Sequence, residues 1–394
     1  MTADPTHTHR RSTPTPTHAA VVTPQGQGGI AVLHIVGDGA FALAAQLFRH
    51  AKGARPTPDA HRLVYGHIVD DGEVVDEVLL RLVPPADAPG GQPLVEVNCH
   101  GGLVAVQRVL ECFVRHGAQA VEPNAMLGLH TPTRIAAEAS RALANAPTPL
   151  GVDTLLDQLD GALERGLAAL PLDEPADTAA ALRHLLATAP LGQALWQPPS
   201  VTLAGPANAG KSTLLNALAR EDRMIVSPTP GTTRDTVTAE VALGGVPVWL
   251  TDTAGDRPPG SAIEQHAIAR ARAAAADADL VLLVLDAASP LPAPLDHLHA
   301  AVPTPHLLVL NKTDLPHASW TQDAPDALHI SASTGNGLPL LVHRLVGMLV
   351  GEATYTQGRP VVFTARQADL LRRALAAAES DDTAAARRHI AQIT

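Results

Sequence analysis

Two glycines, a lysine and a hydroxyl stand at a telling spacing in the run Gly205-Pro-Ala-Asn-Ala-Gly210-Lys211-Ser212. Glycines let successive backbone N–H groups curl around phosphate oxygens, Lys211 can neutralise the β and γ oxygens, and the Ser212 hydroxyl can ligate Mg2+. The apolar run Val201 to Ala204 reads as a strand leading into the loop, and a helix opening Thr213-Leu-Leu-Asn follows at once. A chance glycine-rich turn would not need that strand-loop-helix setting; a phosphate cradle does.

Three further groups follow in the order a guanine-nucleotide site requires. Asp252-Thr253-Ala254-Gly255 ends the apolar strand Val248 to Thr251, which sets a carboxylate in the outer shell of Mg2+ and a glycine amide at the γ-phosphate. Asn311-Lys312-Thr313-Asp314 follows the strand Leu307 to Leu310. The Asp314 carboxylate can accept two hydrogen bonds from the N1–H and N2–H2 edge of guanine, a pair of donors that adenine lacks. Ser331-Ala332-Ser333 suits a loop whose backbone N–H reads guanine O6. Between the first two groups, Gly231-Thr232-Thr233-Arg234-Asp235 puts Thr233 where it can cap Mg2+ and sense the γ-phosphate. The ligand these groups imply is GTP, with Mg2+ held through Ser212 and Thr233. The contacts expected in the cradle are Ala209, Gly210, Lys211, Ser212 and Thr213.

Hydrolysis needs a positioned water. Ras-like enzymes use a glutamine directly after the Asp-x-x-Gly group, and here that place holds Asp256. The water-orienting group must therefore come from elsewhere.

The elements that would position these residues follow from periodicity. Residues 199–347 alternate buried strands with helices, the pattern of a doubly wound, mostly parallel α/β sheet. Before them, 19–122 reads as a small α/β domain: a strand Ile30 to Val36, a helix after Asp38, strands Val64 to Val69 and Val78 to Val83 joined by Asp70-Asp71-Gly72, a strand Leu94 to Asn98, and an amphipathic helix to Arg115. Residues 123–198 are rich in Ala and Leu and are read as helices, the clearest over Asp153 to Leu170, with breaks at Pro147, Pro149, Pro171 and Pro190. Residues 348–394 return to helices over Ala365 to Ala378 and Thr383 to Ile393. The Thr-, Pro- and His-rich residues 1–18 lack periodicity and are expected to form a disordered tail, in which His7, His9 and His18 are more simply solvated than metal-bound.

Composition narrows the class. A chain of 394 residues holds more than one core. It has only three lysines, Lys52, Lys211 and Lys312, and two of them fall inside the nucleotide groups. A net charge of −11 without a basic block argues against tight unaided binding to nucleic acid. No apolar run approaches a membrane span, so a cytoplasmic protein is expected. Two cysteines, Cys99 and Cys112, exclude a disulfide framework and a thiol-rich zinc site, and are expected as small buried side chains. His100, beside Cys99, has no partnered cluster nearby in sequence and is read as a packing or loop-bonding side chain.

The combination of these motifs resembles the tRNA modification GTPase MnmE family, also called TrmE. The likeness covers most of the chain. It begins at Thr23-Pro-Gln-Gly-Gln-Gly-Gly-Ile-Ala-Val-Leu-His-Ile-Val-Gly37 and continues through Tyr65-Gly-His-Ile-Val and Val95-Glu-Val-Asn-Cys-His-Gly-Gly102. The resemblance implies a GTPase domain inserted in a helical domain and preceded by a dimerising, folate-binding-like α/β domain. It also implies a homodimer, an FAD-containing partner protein, and tRNA reached through that partner. By the same likeness Asn208, Ser227, Thr229 and Thr232 would join the nucleotide site and surround K+, which replaces an arginine finger when two GTPase domains meet. Glu264, twelve residues beyond Asp252, would be the catalytic carboxylate, where spacing alone would suggest a solvated helix residue.

The departures concern one-carbon chemistry. His34 stands where the family has an arginine contacting 5-formyl-tetrahydrofolate, and Glu96 is the one folate-contact position matched. Pro123-Asn-Ala-Met-Leu-Gly replaces the family's Pro-Gly-Glu-Phe-Thr segment. The sequence runs to Ala391-Gln-Ile-Thr394 without the family's Phe-Cys-Ile-Gly-Lys ending, so a divergent member lacking the terminal Cys is expected. Two readings stand: a K+-stimulated GTPase acting in tRNA wobble-uridine modification, and a GTP-driven regulatory or assembly-factor switch without one-carbon or tRNA-modifying chemistry. A GTP-binding scaffold with negligible turnover is a third, against which Asn208 and Glu264 speak.

Overall fold

The computed structural model describes residues 15–24, 28–53, 57–59, 61–221, 236–253, 278–291, 293–300, 302 and 305–394. Its contacts divide into two units, Met1–Ala137 and Glu138–Thr394.

The first unit is built on a seven-stranded sheet of order β3-β4-β5-β6-β2-β1-β7, formed by β1 (His18–Val21), β2 (Ile30–Val36), β3 (Phe48–His50), β4 (Val64–Asp70), β5 (Glu73–Val83), β6 (Leu94–His100) and β7 (Gln119–Ala120). Strand alternation sorts its faces. Ala31, Leu33 and Ile35 of β2 and Val95, Val97 and Cys99 of β6 share one core with helices α1 (Ala40–Leu47) and α2 (Leu103–Arg115). His34, Glu96 and Asn98 have the intervening parity and lie on the other face. Helix α3 (Pro123–His130) sends Met126 into a smaller core with Val36 and Leu94.

Several boundaries differ from the sequence expectation. β5 begins at Glu73, five residues before the expected Val78, because Asp71 (φ 46) and Gly72 (φ 90) form a left-handed two-residue turn that pairs Asp70 with Glu73 at once. The tail expected over 1–18 gives way to folded chain by Thr15, whose N–H and hydroxyl both reach Asp38, and His18 is already in β1.

The second unit joins helices to a second sheet. Helix α4 (Arg134–Leu143) crosses the division, and α5 (Pro149–Leu159), α6 (Ala162–Ala168), α7 (Pro175–Leu186) and α8 (Ala189–Ala194) follow. The single helix expected from Asp153 to Leu170 is in fact two. Gly161, at φ 86, takes a left-handed conformation that an L side chain resists, and the helix breaks there. Pro149 and Pro190 lie in the first turns of α5 and α8, where the missing N–H costs nothing.

The sheet has order β13-β12-β11-β8-β10-β9, from β8 (Ser200–Ala204), β9 (Thr236–Leu243), β10 (Val246–Thr253), β11 (Leu280–Asp286), β12 (His306–Asn311) and β13 (Leu328–His329). All neighbours are parallel except β9 and β10, a hairpin turned by Gly244 and Gly245 at φ 57 and 86. The run Leu-Val-Leu-Leu-Val-Leu of β11 is buried on both faces, as a central parallel strand should be. Leu282 and Val284 face α9 (Lys211–Glu221) and α11 (Leu338–Val350), while Leu283 and Leu285 face α10 (Leu295–Ala300).

The chain then returns to the helical body through α12 (Ala365–Glu379) and α13 (Thr383–Ala391). Buried Gln158 of α5 donates to Arg359 O and accepts from Val361 N, both at 3.1 Å. Trp196 Nε1 donates to Phe363 O at 2.8 Å, and buried Glu138 receives Arg366 and Gln367. The two helical stretches therefore close on each other around the entry and exit of the α/β chain.

Candidate nucleotide site

Parallel pairing brings the carboxyl ends of β8, β10, β11 and β12 to one edge of the sheet, the edge at which ligands bind in folds of this kind. β8 ends at Ala204 and the chain turns through Gly205 at φ 140, where an added Cβ would lie 2.1 Å from Val284 O. The loop then winds through Asn208 at φ 66 and Gly210 at φ 88 into α9. This alternation turns backbone N–H groups inward, which is the purpose of the glycine spacing.

Lys211 is 6% exposed and donates to Gly205 O at 3.1 Å and Pro206 O at 2.9 Å, so its ammonium is folded back over the loop. Ser212 donates to Asp252 Oδ2 at 2.5 Å. Asp252 Oδ1 is buried without a hydrogen-bond partner among the described residues. A buried carboxylate oxygen left unpaired is costly, and a hydrated cation beside Ser212 is the kind of group that would satisfy it. The donor set therefore fits Mg2+: a hydroxyl and a carboxylate, both hard oxygen ligands.

Asn311 links the phosphate loop to the base loop. Its side chain, 2% exposed, donates to Ala209 O at 2.8 Å and accepts from Ala332 N at 3.0 Å. A Cβ on Gly210 would sit 2.3 Å from Asn311 Nδ2, so glycine is needed there for close approach as well as for φ. Lys312, at φ 65, reaches Asp286 Oδ2 at 2.7 Å. Burial would raise the Asp286 carboxyl, but Lys312, the Ala288 N–H and Ser289 together hold it below the ordinary value. Asp314 is exposed beyond this pair, and Ser331, buried, bonds Ser333 across its loop at 3.0 Å. Thr213 is exposed on the first turn of α9.

The structure thus places Asn208, Ala209, Gly210, Lys211, Ser212, Thr213, Asp252, Asn311, Lys312, Asp314, Ser331 and Ala332 along one edge. Asp286, which anchors Lys312, was not expected; its signal is an acidic residue closing a strand of six apolar ones. Thr253 ends β10, and nothing is described of its side chain. Ser227, Thr229, Thr232, Thr233, Ala254, Gly255, Asp256 and Glu264 lie outside the described residues.

The family described as 50S ribosome-binding GTPase matches residues 200–312, and the family described as the GTP-binding protein TrmE N-terminus matches 17–124. The tRNA modification GTPase MnmE of a Synechococcus species is 38% identical over 412 residues, covering 94% of this chain and 90% of the relative. That of Lactiplantibacillus plantarum is 34% identical, covering 93% and 88%. The chain belongs to the MnmE family. It is a GTP hydrolase, it binds GTP and GDP, and enzymes of this class work with Mg2+. The MnmE-type architecture holds: an α/β GTPase part with a mostly parallel sheet, helices on either side in sequence, and a TrmE N-terminal part before them. A solved G domain of the T. maritima FeoB iron transporter is 28% identical over 38% of this chain and 98% of its own, at a TM-score of 0.30, and adds nothing to that assignment.

The folate question falls on the first sheet. Glu96 sits opposite His34 on β2 and Arg81 on β5. Its carboxylate accepts from Arg81 at 2.5 Å and Asn98 at 3.0 Å and faces His34 Nε2 at 3.8 Å. The His34 imidazole beside it, followed by Asn98 and Arg81, holds the Glu96 carboxyl down to about 2 against the opposing effect of burial. His34 in turn stacks on His130 with ring centroids 4.7 Å apart. Glu96, the one matched folate-contact position, thus bonds Arg81 and Asn98 within its own sheet, beside the histidine that stands in place of the family's arginine. His100, read from sequence as a packing or loop-bonding side chain, ends β6 and bonds Asp76 of the neighbouring strand β5 at 2.7 Å.

Proposed function

We propose that MnmE-type chemistry operates here as K+-stimulated hydrolysis of GTP to GDP and phosphate, in the service of tRNA wobble-uridine modification in the cytoplasm. The observation that carries the nucleotide reading is Asn311 bridging Ala209 and Ala332, because it couples the phosphate loop to the base loop through one buried amide. In this reading the N–H groups of Ala209 to Thr213 hold the phosphates, and Lys211 leaves its carbonyls for the β and γ oxygens. Ser212 and Thr233 would hold Mg2+, with Asp252 in its outer shell, and the ion would neutralise charge on the phosphates. Asp314 selects guanine, with Ala332 N–H at O6. Thr253, Ala254 and Gly255 border the γ-phosphate. Asn208, Ser227, Thr229 and Thr232 hold K+, and Glu264 orients the attacking water.

Residues 199–347 form the GTPase domain in this proposal, inserted between helical halves 123–198 and 348–394, with 19–122 as the dimerising domain. The tRNA modification named in the relatives supports the substrate class, and an FAD-containing partner protein is proposed alongside it. His34, in place of the family's folate-contacting arginine, favours a second reading, a GTP-driven assembly or regulatory switch that carries out no one-carbon transfer.

Phosphate release from GTP, measured in KCl and in NaCl at equal ionic strength with Mg2+ present, tests the mechanism. Faster turnover in KCl is expected, with Glu264→Ala reducing it at least about hundredfold, roughly 2.7 kcal/mol of barrier, while nucleotide binding is unchanged. Equal, slow rates in the two salts would remove the K+ assignment.

A further inference from the structure

Away from the nucleotide edge, the first unit gathers three side chains of metal-binding type. Cys112 and His116 stand four residues apart at the end of α2, hence on one face, and Asp70 closes β4 beside the Asp71-Gly72 turn. One potential ligand atom from each lies within 4.8 Å of the others. Tetrahedral Zn2+ with ordinary bond lengths holds its ligand atoms roughly 3.3–3.8 Å apart, so small side-chain rotations would close the set.

The hydrogen bonding says what belongs between them. His116 Nδ1 is 2.9 Å from Cys112 O, and a carbonyl only accepts, so Nδ1 carries the hydrogen. Nε2 is left facing Asp70 Oδ1 at 3.4 Å. A nitrogen lone pair against a carboxylate oxygen is repulsive unless a cation stands there. A second ring proton would pair those two atoms, and Arg115 reaches both Asp70 and the buried Cys112 sulfur from the side; a metal ion would join the three side chains directly.

The surroundings favour the metal. Arg115 holds the other carboxylate oxygen, Asp70 Oδ2, at 2.5 Å, which leaves Oδ1 for a single bond and fixes its direction as outer partners do in metal sites. The Nδ1–H to carbonyl bond likewise sets the tautomer that presents Nε2. The carboxyl end of α2 adds partial negative charge.

We propose that Asp70, Cys112 and His116 form a site for a borderline-soft divalent metal ion of the Zn2+ class. Binding exchanges the thiol proton for a sulfur–metal bond and releases that proton to solvent. Of the three ligands Asp70 borders a cleft, together with Asp71, Glu73, Arg108, Glu111 and Arg115, and water would complete the coordination. The ion clips the end of α2 to the β4–β5 hairpin and stabilises the first unit by mass action.

Cobalt titration of the full-length chain, stripped of metal by chelation, tests the site. One equivalent of Co2+ should produce a thiolate-to-cobalt charge-transfer band that Zn2+ abolishes. Cys112→Ser should eliminate the band, Cys99→Ser should leave it, and Asp70→Asn and His116→Gln should each weaken Co2+ binding at least about tenfold. The band reports sulfur, so histidines elsewhere in the chain cannot imitate it. If Cys112→Ser fails to fold by circular dichroism, the partly exposed His116→Gln carries the test. No band at saturating Co2+, a band that survives in Cys112→Ser, or unchanged affinity in His116→Gln would overturn the proposal.

Discussion

Asn311 has both ends of its amide committed inside the protein, one to each loop that a guanine nucleotide would touch. Asn311→Ala leaves Ala209 O and Ala332 N without that partner, and an unsatisfied buried group costs about 1–3 kcal/mol. Thermal denaturation should show the loss of stability, and GTP affinity should fall at least tenfold. A variant with unchanged affinity would show that the two loops are positioned independently. His130 offers a pH test. Burial, helped by His34, holds its imidazole down to about 4, whereas an unfolded chain takes up the proton near the ordinary 6.5. The contribution of His130 is therefore full above pH 6.5 and is lost as pH falls from there toward 4, because the unfolded state binds the proton first. Urea midpoints at pH 7 and pH 5 should differ less for His130→Phe than for the natural chain. Equal differences in the two proteins would exclude this contribution.

At the scale of elements, residues with fixed chemical duties were readable from sequence and partnerships across distant strands were not. Lys211, Ser212, Asp252 and Asp314 stand out because phosphate, Mg2+ and guanine would each demand a particular side chain after a strand, and the structure brings these four to one edge. The strands behind them were visible for the same reason that β11 is buried on both faces: a continuous aliphatic run has few other homes. The break between α5 and α6 was missed because Ala and Leu on either side mask a single left-handed glycine, Gly161. The Arg81, Asn98 and His34 shell of Glu96 depends on the pairing of three strands, and register is not written locally. Asp70 and Cys112 meet only because α2 packs back on the sheet. The bond from Gln158 to Val361 spans 203 residues and could not be foreseen from either segment.

At the scale of the molecule, the helices before and after the GTPase part close on each other through bonds between distant segments. Mass spectrometry of tRNA from a strain lacking this chain should show wobble uridines without their modification; fully modified uridines would transfer support to the assembly reading. Among the described residues no helix is long and apolar enough to cross a membrane. The central claim, a guanine nucleotide read by one carboxylate at the edge of a parallel sheet, is tested most directly by titrating the purified chain and its Asp314→Asn variant with GTP and xanthosine triphosphate in Mg2+ and K+. The natural chain should prefer GTP, and the variant should reverse that preference by a factor on the order of a hundred, about 2.7 kcal/mol. A natural chain that fails to retain GTP, or a variant that binds it unchanged, would contradict the account.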